Sequence, residues 1–438
     1  MRKLLLLALL AGLLVYATAP QWQSFDRMGA RRFQALSHLP KEILVGVCWP
    51  FAANQDGMAD GLQLARDEIN AGGLAKGIPV RLVLRDDNFD WETAKRIAVE
   101  FSDTPKMSAV LGYYDDSEAI KASAMYESSR LLHLMVGVNN TAMTSHEGQY
   151  IVRTILSSDK IARALAKLTV KRKHRKIAVI WEEGGFGEDL AYQYRVALDA
   201  LGSVDAGDAP DASHAVDAPH AVDTADALAS VDTPDAPHPP AAEHASDVQI
   251  VYQWSYARER ADFRLPVNEL KGVGADIIFF AGLEPWAGDF VRMARGVGLK
   301  TGILGAFSDT PLMRERAGPG IEGAMFFDFY DVNSPSPENQ EFVRKFRARY
   351  KRDPDTWAAQ GYDALRILAK AVRTTGSANP LDLSYAIRFM DPWEGANGLY
   401  KFDERGELDD KRFFIDIYRN GVAVPIYETA PTPVPLIR

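Results

Sequence analysis

Few residues in this chain are spaced so that they could act together chemically. Glu182 and Glu183 are neighbours in an apolar run. Adjacent strand positions point to opposite faces, so they do not form a paired-carboxylate acid–base site. Two hexapeptides, DASHAV from Asp211 to Val216 and DAPHAV from Asp217 to Val222, bring His214 and His220 next to carboxylates. Imidazole and carboxylate can hold a divalent ion weakly, but a flexible chain gives up conformational entropy to gather them. A disordered repeat is the competing reading, and no metal is assigned. The single cysteine, Cys48, excludes an internal disulfide and a multi-cysteine metal site; its apolar neighbours point to a buried structural thiol. The chain contains no nucleophile elbow, phosphate-binding glycine loop, HExxH segment or spaced His/Cys set. These residues argue for a binding protein rather than an enzyme, with no cofactor.

What must position any binding residues is set by organisation along the chain. A length of 438 residues exceeds one ordinary hydrophobic core and implies two domains. Arg2 and Lys3 followed by LLLLALLAGLLVYATAP form an export signal. Ala17-Thr18-Ala19 resembles a cleavage site, yet Pro20 would constrain the backbone that a peptidase must hold extended. Two readings therefore stay open for residues 1–22: a cleaved signal peptide, or a signal anchor in which residues 4–22 approach the ~20 apolar residues that span a bilayer. No cysteine lies near residue 20 to carry a lipid. Residues 23–41 read as a linker.

The segment 203–247, rich in Asp, Ala, Pro and His, cannot build a core and reads as a disordered insert. It holds ten of the 59 acidic residues and no Lys or Arg, so the formal net charge of −9 comes from it and the rest is nearly balanced. The folded part thus presents no strong field to steer a charged partner and no basic face for nucleic acid.

From Glu42 onward, short apolar runs alternate with amphipathic segments, the pattern of parallel strands joined by crossover helices. ILVGV at Ile43–Val47 is followed by Met58, Leu62, Ala65 and Ile69 on one helical face, with Gly72 and Gly73 ending that helix. VRLVL, SAVLG and LLHLMVG complete one α/β unit. KIAVIW, VQIVYQW, ADIIFFAG and TGILGAF make a second, and two long helices over 337–350 and 356–374 precede a β-rich end. The tail 429–438 is Pro-rich and loose.

The order and spacing of ILVGVCWPF at Ile43–Phe51, LARDEINAGG at Leu64–Gly73, VRLVLRDDNFD at Val80–Asp90, FGEDLA at Phe186–Ala191, ARGVGLKTGILG at Ala294–Gly305 and GLYKFDERGEL at Gly398–Leu408 resemble the type I periplasmic solute-binding proteins. The likeness is greatest to the branched-chain amino acid and amide-binding subfamily that serves ABC transporters. It implies an α/β fold of two doubly wound parallel-sheet lobes joined by a three-crossover hinge, with 42–157 plus 331–404 in lobe 1 and 158–330 plus 405–428 in lobe 2. It further implies a periplasmic or otherwise extracytoplasmic receptor that closes on a small polar ligand (amino acid, amide or amine-like) and partners an ABC permease. The alternative is an inner-membrane-anchored sensory protein.

The resemblance also points to site positions. Where relatives place hydroxyls and amides for the ligand carboxylate, this chain has Asp116 beside Ser117, then Gly137 and Asn139. A carboxylate at Asp116 would repel a ligand carboxylate, unless Asp116 instead caps the next helix. The acid that holds the ligand ammonium is replaced by Phe307, and the accompanying tyrosine falls near Leu283 or Glu284. Phe186 and Trp357 match aromatic cleft positions, and Asp56 stands where relatives often carry an aromatic. Trp49, Phe51 and Trp286 are weaker candidates. For each, a core or solvated-loop role competes. The substitutions favour a polar or cationic ligand over leucine.

Overall fold

The computed structural model describes residues 27–73, 75–144, 148–204, 248–306, 308–409 and 411–428. The signal segment, the acidic insert with His214 and His220, Phe307 and the tail lie outside the described residues.

Fully apolar strands need cover on both faces, and the sequence supplies it by alternating them with helices. The first sheet runs in the order β2-β1-β3-β4-β5, all parallel, from β1 (Ile43–Cys48), β2 (Val80–Arg85), β3 (Met107–Gly112), β4 (Leu132–Met135) and β5 (Ile151–Arg153). Along β1, Ile43, Val45 and Val47 face one core, whereas Leu44 and Cys48 face another. Its helices are α1 (27–35), α2 (Phe51–Asn54), α3 (Met58–Gly72), α4 (Trp91–Ser102) and α5 (Asp116–Ser128).

The second sheet has the order β14-β13-β10-β9-β8-β6-β7. Its parallel members are β6 (Lys176–Glu182), β7 (Gln249–Tyr256), β8 (Ile277–Ala281), β9 (Gly302–Gly305) and β10 (Met325–Asp328). The helices α6 (Ser158–Lys171), α7 (Gly185–Val204), α8 (Arg264–Val273), α9 (Trp286–Gly296) and α10 (Pro311–Ala317) accompany it. The chain then returns to the first lobe with α11 (Pro337–Tyr350), α12 (Thr356–Thr375), α13 (Pro380–Arg388) and the small hairpin of β11 (Trp393–Gly395) and β12 (Gly398–Tyr400). Helix α12 packs along α3. A last crossover delivers β13 (Phe414–Arg419) and β14 (Val422–Glu428), both antiparallel to their neighbours. The two-lobed α/β architecture expected from the sequence is present, with the chain passing between the sheets after β5, after β10 and after β12.

Two local features depart from the sequence reading. Residues 27–35, taken as linker, are helical and docked. Arg32 is fully buried, and its guanidinium donates to the carbonyls of Ser102 (2.7 Å), Phe101, Thr104 and Ser129 at the C-terminal ends of α4 and α5, and to that of Met107 (3.2 Å) at the start of β3. Carbonyls at helix C-termini run short of intrahelical partners, so the arginine serves them and its charge suits both helix dipoles. Arg32→Ala should lower stability by about 2 kcal/mol, read as a shift in the urea midpoint at unchanged m-value. In addition, the cap of α5 is Asp115, not Asp116: Asp115 Oδ1 accepts from Ser117 N (2.8 Å) and Glu118 N (3.1 Å). Asp116 is thereby left inside the first turn.

Candidate functional site

The C-terminal ends of the parallel strands in the two sheets face each other, the place where open α/β sheets bind ligands. On the first-lobe side, Trp49 follows β1, Phe89 follows β2, Tyr114 follows β3, and Trp357 sits in the first turn of α12. The Trp49, Tyr114 and Trp357 rings lie edge-on or tilted, with centroids 5.1 to 5.2 Å apart, and Phe89 meets Tyr114 at 5.6 Å. Two glycines set this wall. Gly112 has φ +139° and a Cβ there would strike the Cys48 carbonyl; at Gly137 a Cβ would come within 2.9 Å of the Trp49 ring. Helix α12 is held by Asp355, whose side chain accepts from Ala358 N at 2.8 Å and from Gly57 N at 2.8 Å.

The second lobe supplies polar groups opposite. Glu284, fully buried after β8, accepts the Tyr114 hydroxyl at Oε2 (2.8 Å) and Ser308 N at Oε1 (2.7 Å), so it bridges the lobes. Burial pushes its pKa up to about 7, against the hydrogen bonds that favour the anion. An acid whose folded pKa lies above its unfolded value loses stability as pH rises between them. Glu284 therefore destabilises the fold progressively from about pH 4.5 to 7, and Glu284→Gln should flatten that part of the stability–pH curve measured by denaturant titration.

Next to it, the guanidinium of Arg258 is shared between Asp115 of the first lobe and Glu182 of the second. Burial alone would raise the Asp115 pKa, but Arg258 outweighs it and the carboxyl is held below its usual range. Further cross-lobe links run from Thr141 N and Oγ1 to Asp189 (2.9 and 2.8 Å) and from Asn140 Nδ2 to Gly185 O (3.3 Å). The lobes are in the closed arrangement.

The residues expected from the sequence distribute unevenly. Glu284 and Trp357 line the interface of the lobes, and Trp357 Nε1 is buried with no hydrogen-bond partner among the described residues. Asp56 accepts from Trp49 Nε1 at 2.9 Å and from Met58 N at 3.0 Å; burial and then the nearby Asp355 raise its pKa to about 7. Asp116 is buried, accepts from Asn139 N at 3.1 Å through Oδ1, and leaves Oδ2 without a partner among the described residues. Burial, with Asp115 adjacent, pushes its pKa well up, against the nearby Arg153 and the Asn139 N–H. Asn139 is committed elsewhere, because its Nδ2 donates to Leu156 O at 2.5 Å. Ser117 donates through Oγ to Asp115 (2.5 Å), and Gly137 serves as space for Trp49. Phe186 is buried at the start of α7 in the hydrophobic core. Trp286 donates from Nε1 to Arg258 O (3.2 Å) and lies under its guanidinium, and so supports Arg258. Phe51 packs on the core. Sequence reasoning missed Tyr114, Arg258 and Ser308. The tyrosine pair directly after the β3 glycine was the available signal for the first; nothing local distinguishes the other two. Cys48 is buried, as expected, with Sγ 3.3 Å from Asp87 Oδ2.

One arrangement mimics a catalytic dyad: Ser123 Oγ lies 2.9 Å from His133 Nδ1. Both are buried, and His133 Nε2 is bound to Gly112 O at 2.9 Å, which makes the pair a structural tie between α5 and β4.

Residues 50–236 and 240–417 match the family described as periplasmic binding protein. The Leu/Ile/Val-binding protein homolog 2 of Brucella abortus is 24% identical over 390 residues, covering 87% of this chain and 91% of that protein. An amino acid binding protein of Pseudomonas aeruginosa is 23% identical over 387 residues, covering 85% and 89%. Among solved structures, an ABC transporter substrate-binding protein from Desulfitobacterium hafniense in complex with Leu aligns with TM-score 0.69 at 25% identity, over 88% of this chain and 100% of that one. A solute binding protein from R. palustris in complex with 4-hydroxybenzoate aligns with TM-score 0.70 at 18% identity, over 90% and 98%, and shows the fold alone.

Proposed function

The chain belongs to the periplasmic binding protein family, and on that premise we propose that it is an extracytoplasmic receptor delivering a small polar, amine- or amide-bearing solute to an ABC importer. The observation that carries this reading is the Tyr114–Glu284 bridge at the mouth of the strands, flanked by Trp357 and Asp56. An aromatic wall facing buried carboxylates favours an ammonium or amide over a branched aliphatic side chain, through cation–π attraction and charge. Relatives whose names specify leucine, isoleucine and valine set the competing ligand class. Burial raises the Asp116 pKa, which lessens its repulsion of a ligand oxygen.

Whether residues 4–22 remain as an anchor ahead of the docked α1 is the open element of the reading. Sequencing the mature N-terminus tests it: a start at or before residue 4 supports the anchor, and a start near residue 20 excludes it.

A thermal-shift screen of amino acids, amides, amines and small acids tests the ligand class. An amine or amide at about 100 times its Kd should stabilise the protein by about 2.7 kcal/mol, visible as a rise of a few degrees in Tm. Stabilisation by branched-chain amino acids alone would reject the proposed class.

A further inference from the structure

Beside the cleft, a cavity of about 450 Å³ opens between the first turn of α12, the crossover that follows β10, and strands β13 and β14, with Trp357 as its wall toward Tyr114. Six carboxylates line it, from Asp309, Asp328, Asp331, Asp353, Asp355 and Asp416, against the cations Arg314 and Arg352. Several of the acids are compensated. Asp309 pairs with Arg314 at 2.5 Å, Asp353 pairs with Arg347 at 2.5 Å, and Asp355 caps α12 with Arg352 at 3.7 Å. Asp328, Asp331 and Asp416 have no ion pair among the described residues.

The placement of two of these acids is built into the sheet. In the β10–β13 ladder Asp328 lies opposite Phe414 and Asp416 opposite Phe326, so both acids project from the same face at diagonal positions. Asp328 accepts from Phe329 N at 2.6 Å, Tyr330 N at 3.3 Å and the Thr356 hydroxyl. Asp416 is only 9% exposed, and its Oδ1 is buried with no hydrogen-bond partner among the described residues. The wall residue Trp357 is 5% exposed and likewise leaves Nε1 unpartnered. A buried carboxylate with neither cation nor donor costs free energy that a fold does not otherwise recover. Among the described residues no group of His, Cys, Asp and Glu is arranged to hold a metal ion.

We infer that this cavity receives the cationic group of an organic solute, an ammonium or guanidinium, between Asp416 and Asp328 and against the Trp357 ring. The inference rests on the reading of the chain as a solute receptor and says where the charge of that solute is held. It also has a pH signature. Burial, followed by repulsion from Asp309 and Asp331, raises the Asp416 pKa to about 7. Burial, then Asp416 and Asp309, raise that of Asp328 to about 8, with Thr356 and Phe329 N opposing. The remaining charged or titratable groups lining the cavity are Asp353, Asp355, Tyr330, Arg314, already paired with Asp309, and Arg352, already paired with Asp60 at 2.8 Å and with Asp355. A cation binds the ionised forms, so its affinity should rise from about pH 6 to 8 and binding should release protons.

Calorimetry of the full-length chain at about pH 8 with n-butylamine, butylguanidine and butanamide tests the assignment. The amine or the guanidine should bind about tenfold or more tightly than the amide. Asp416→Asn should weaken the charged probes about tenfold, change butanamide by less than about twofold, and leave Tm equal or higher because it removes a buried uncompensated charge. That Tm readout separates lost binding from lost folding. Equal binding of amide and amine, or charged-probe affinity unchanged by Asp416→Asn, would overturn the assignment. If a solute from the screen is weakened by Glu284→Gln but not by Asp416→Asn, the receptor reading stands and the cavity assignment alone falls. If no solute binds, both fall.

Discussion

Replacing Arg258 by Gln should cost the protein about 2–3 kcal/mol and release the closed arrangement of the lobes. The side chains of Asp115 and Glu182 are 2% and 3% exposed, and Arg258 is the cation between them; its own side chain is 21% exposed. Breaking a buried pair by removing one partner costs about 3–5 kcal/mol because a charge is left uncompensated, and the partial solvent access of Arg258 argues for the lower figure given. The pH dependence identifies the cause. Without the guanidinium, the Asp115 pKa moves from below its usual value to above it, joining Glu182, which burial already raises despite Arg258. Both acids then titrate in the direction that loses stability as pH rises, so the deficit against the parent should be larger at about pH 8 than at about pH 5. Urea titration at the two pH values reads this, and small-angle scattering should show a larger radius of gyration for the variant. A deficit independent of pH, with unchanged dimensions, would show that Arg258 does not hold the lobes together.

The second large effect is expected at Trp357. Its ring meets both Trp49 and Tyr114 at 5.1 Å and separates the cleft from the acidic cavity. Trp357→Ala should cost about 3–5 kcal/mol, the range for truncating a buried aromatic, and should remove solute binding because the wall of the site goes with it. Trp357→Phe distinguishes the two roles. It keeps most of the packing, so stability should fall by less than about 1.5 kcal/mol, while the unpartnered Nε1–H is lost. If that donor serves the solute, affinity drops by about 1 kcal/mol, roughly fivefold, with Tm nearly constant. Equal affinity in the Phe variant would assign the indole a packing role alone.

Much of the fold was legible because its signals are local. Strands buried on both faces read as continuous apolar runs, as in β1 and β8, where every residue is buried. The α3 face read from the spacing of Met58, Leu62, Ala65 and Ile69 is buried throughout. The docked helix over 27–35 was not legible, because what secures it is one arginine reaching carbonyls about a hundred residues or fewer further along the chain. The site was legible only in part. Glu284 and Trp357 could be placed from order along the chain, but Arg258 matters through Asp115 and Glu182, a partnership no local pattern encodes. Asn139 has the side chain for a ligand contact, yet the carbonyl of Leu156 takes its amide. Asp416 carried a readable signal: in the strand Phe414–Arg419 it shares a face with Phe414 and Tyr418, where alternation calls for an apolar residue. An acid breaking that pattern on a covered strand marks either a strained core or a binding group.

The ligand class is decided by calorimetric titration of the purified full-length protein with leucine and with the strongest amine or amide from the screen. One-to-one binding of the amine or amide is expected, weakened by Glu284→Gln and abolished by Trp357→Ala, with no measurable heat from leucine. One-to-one binding of leucine, lost in Trp357→Ala while every amine and amide remains silent, would contradict it.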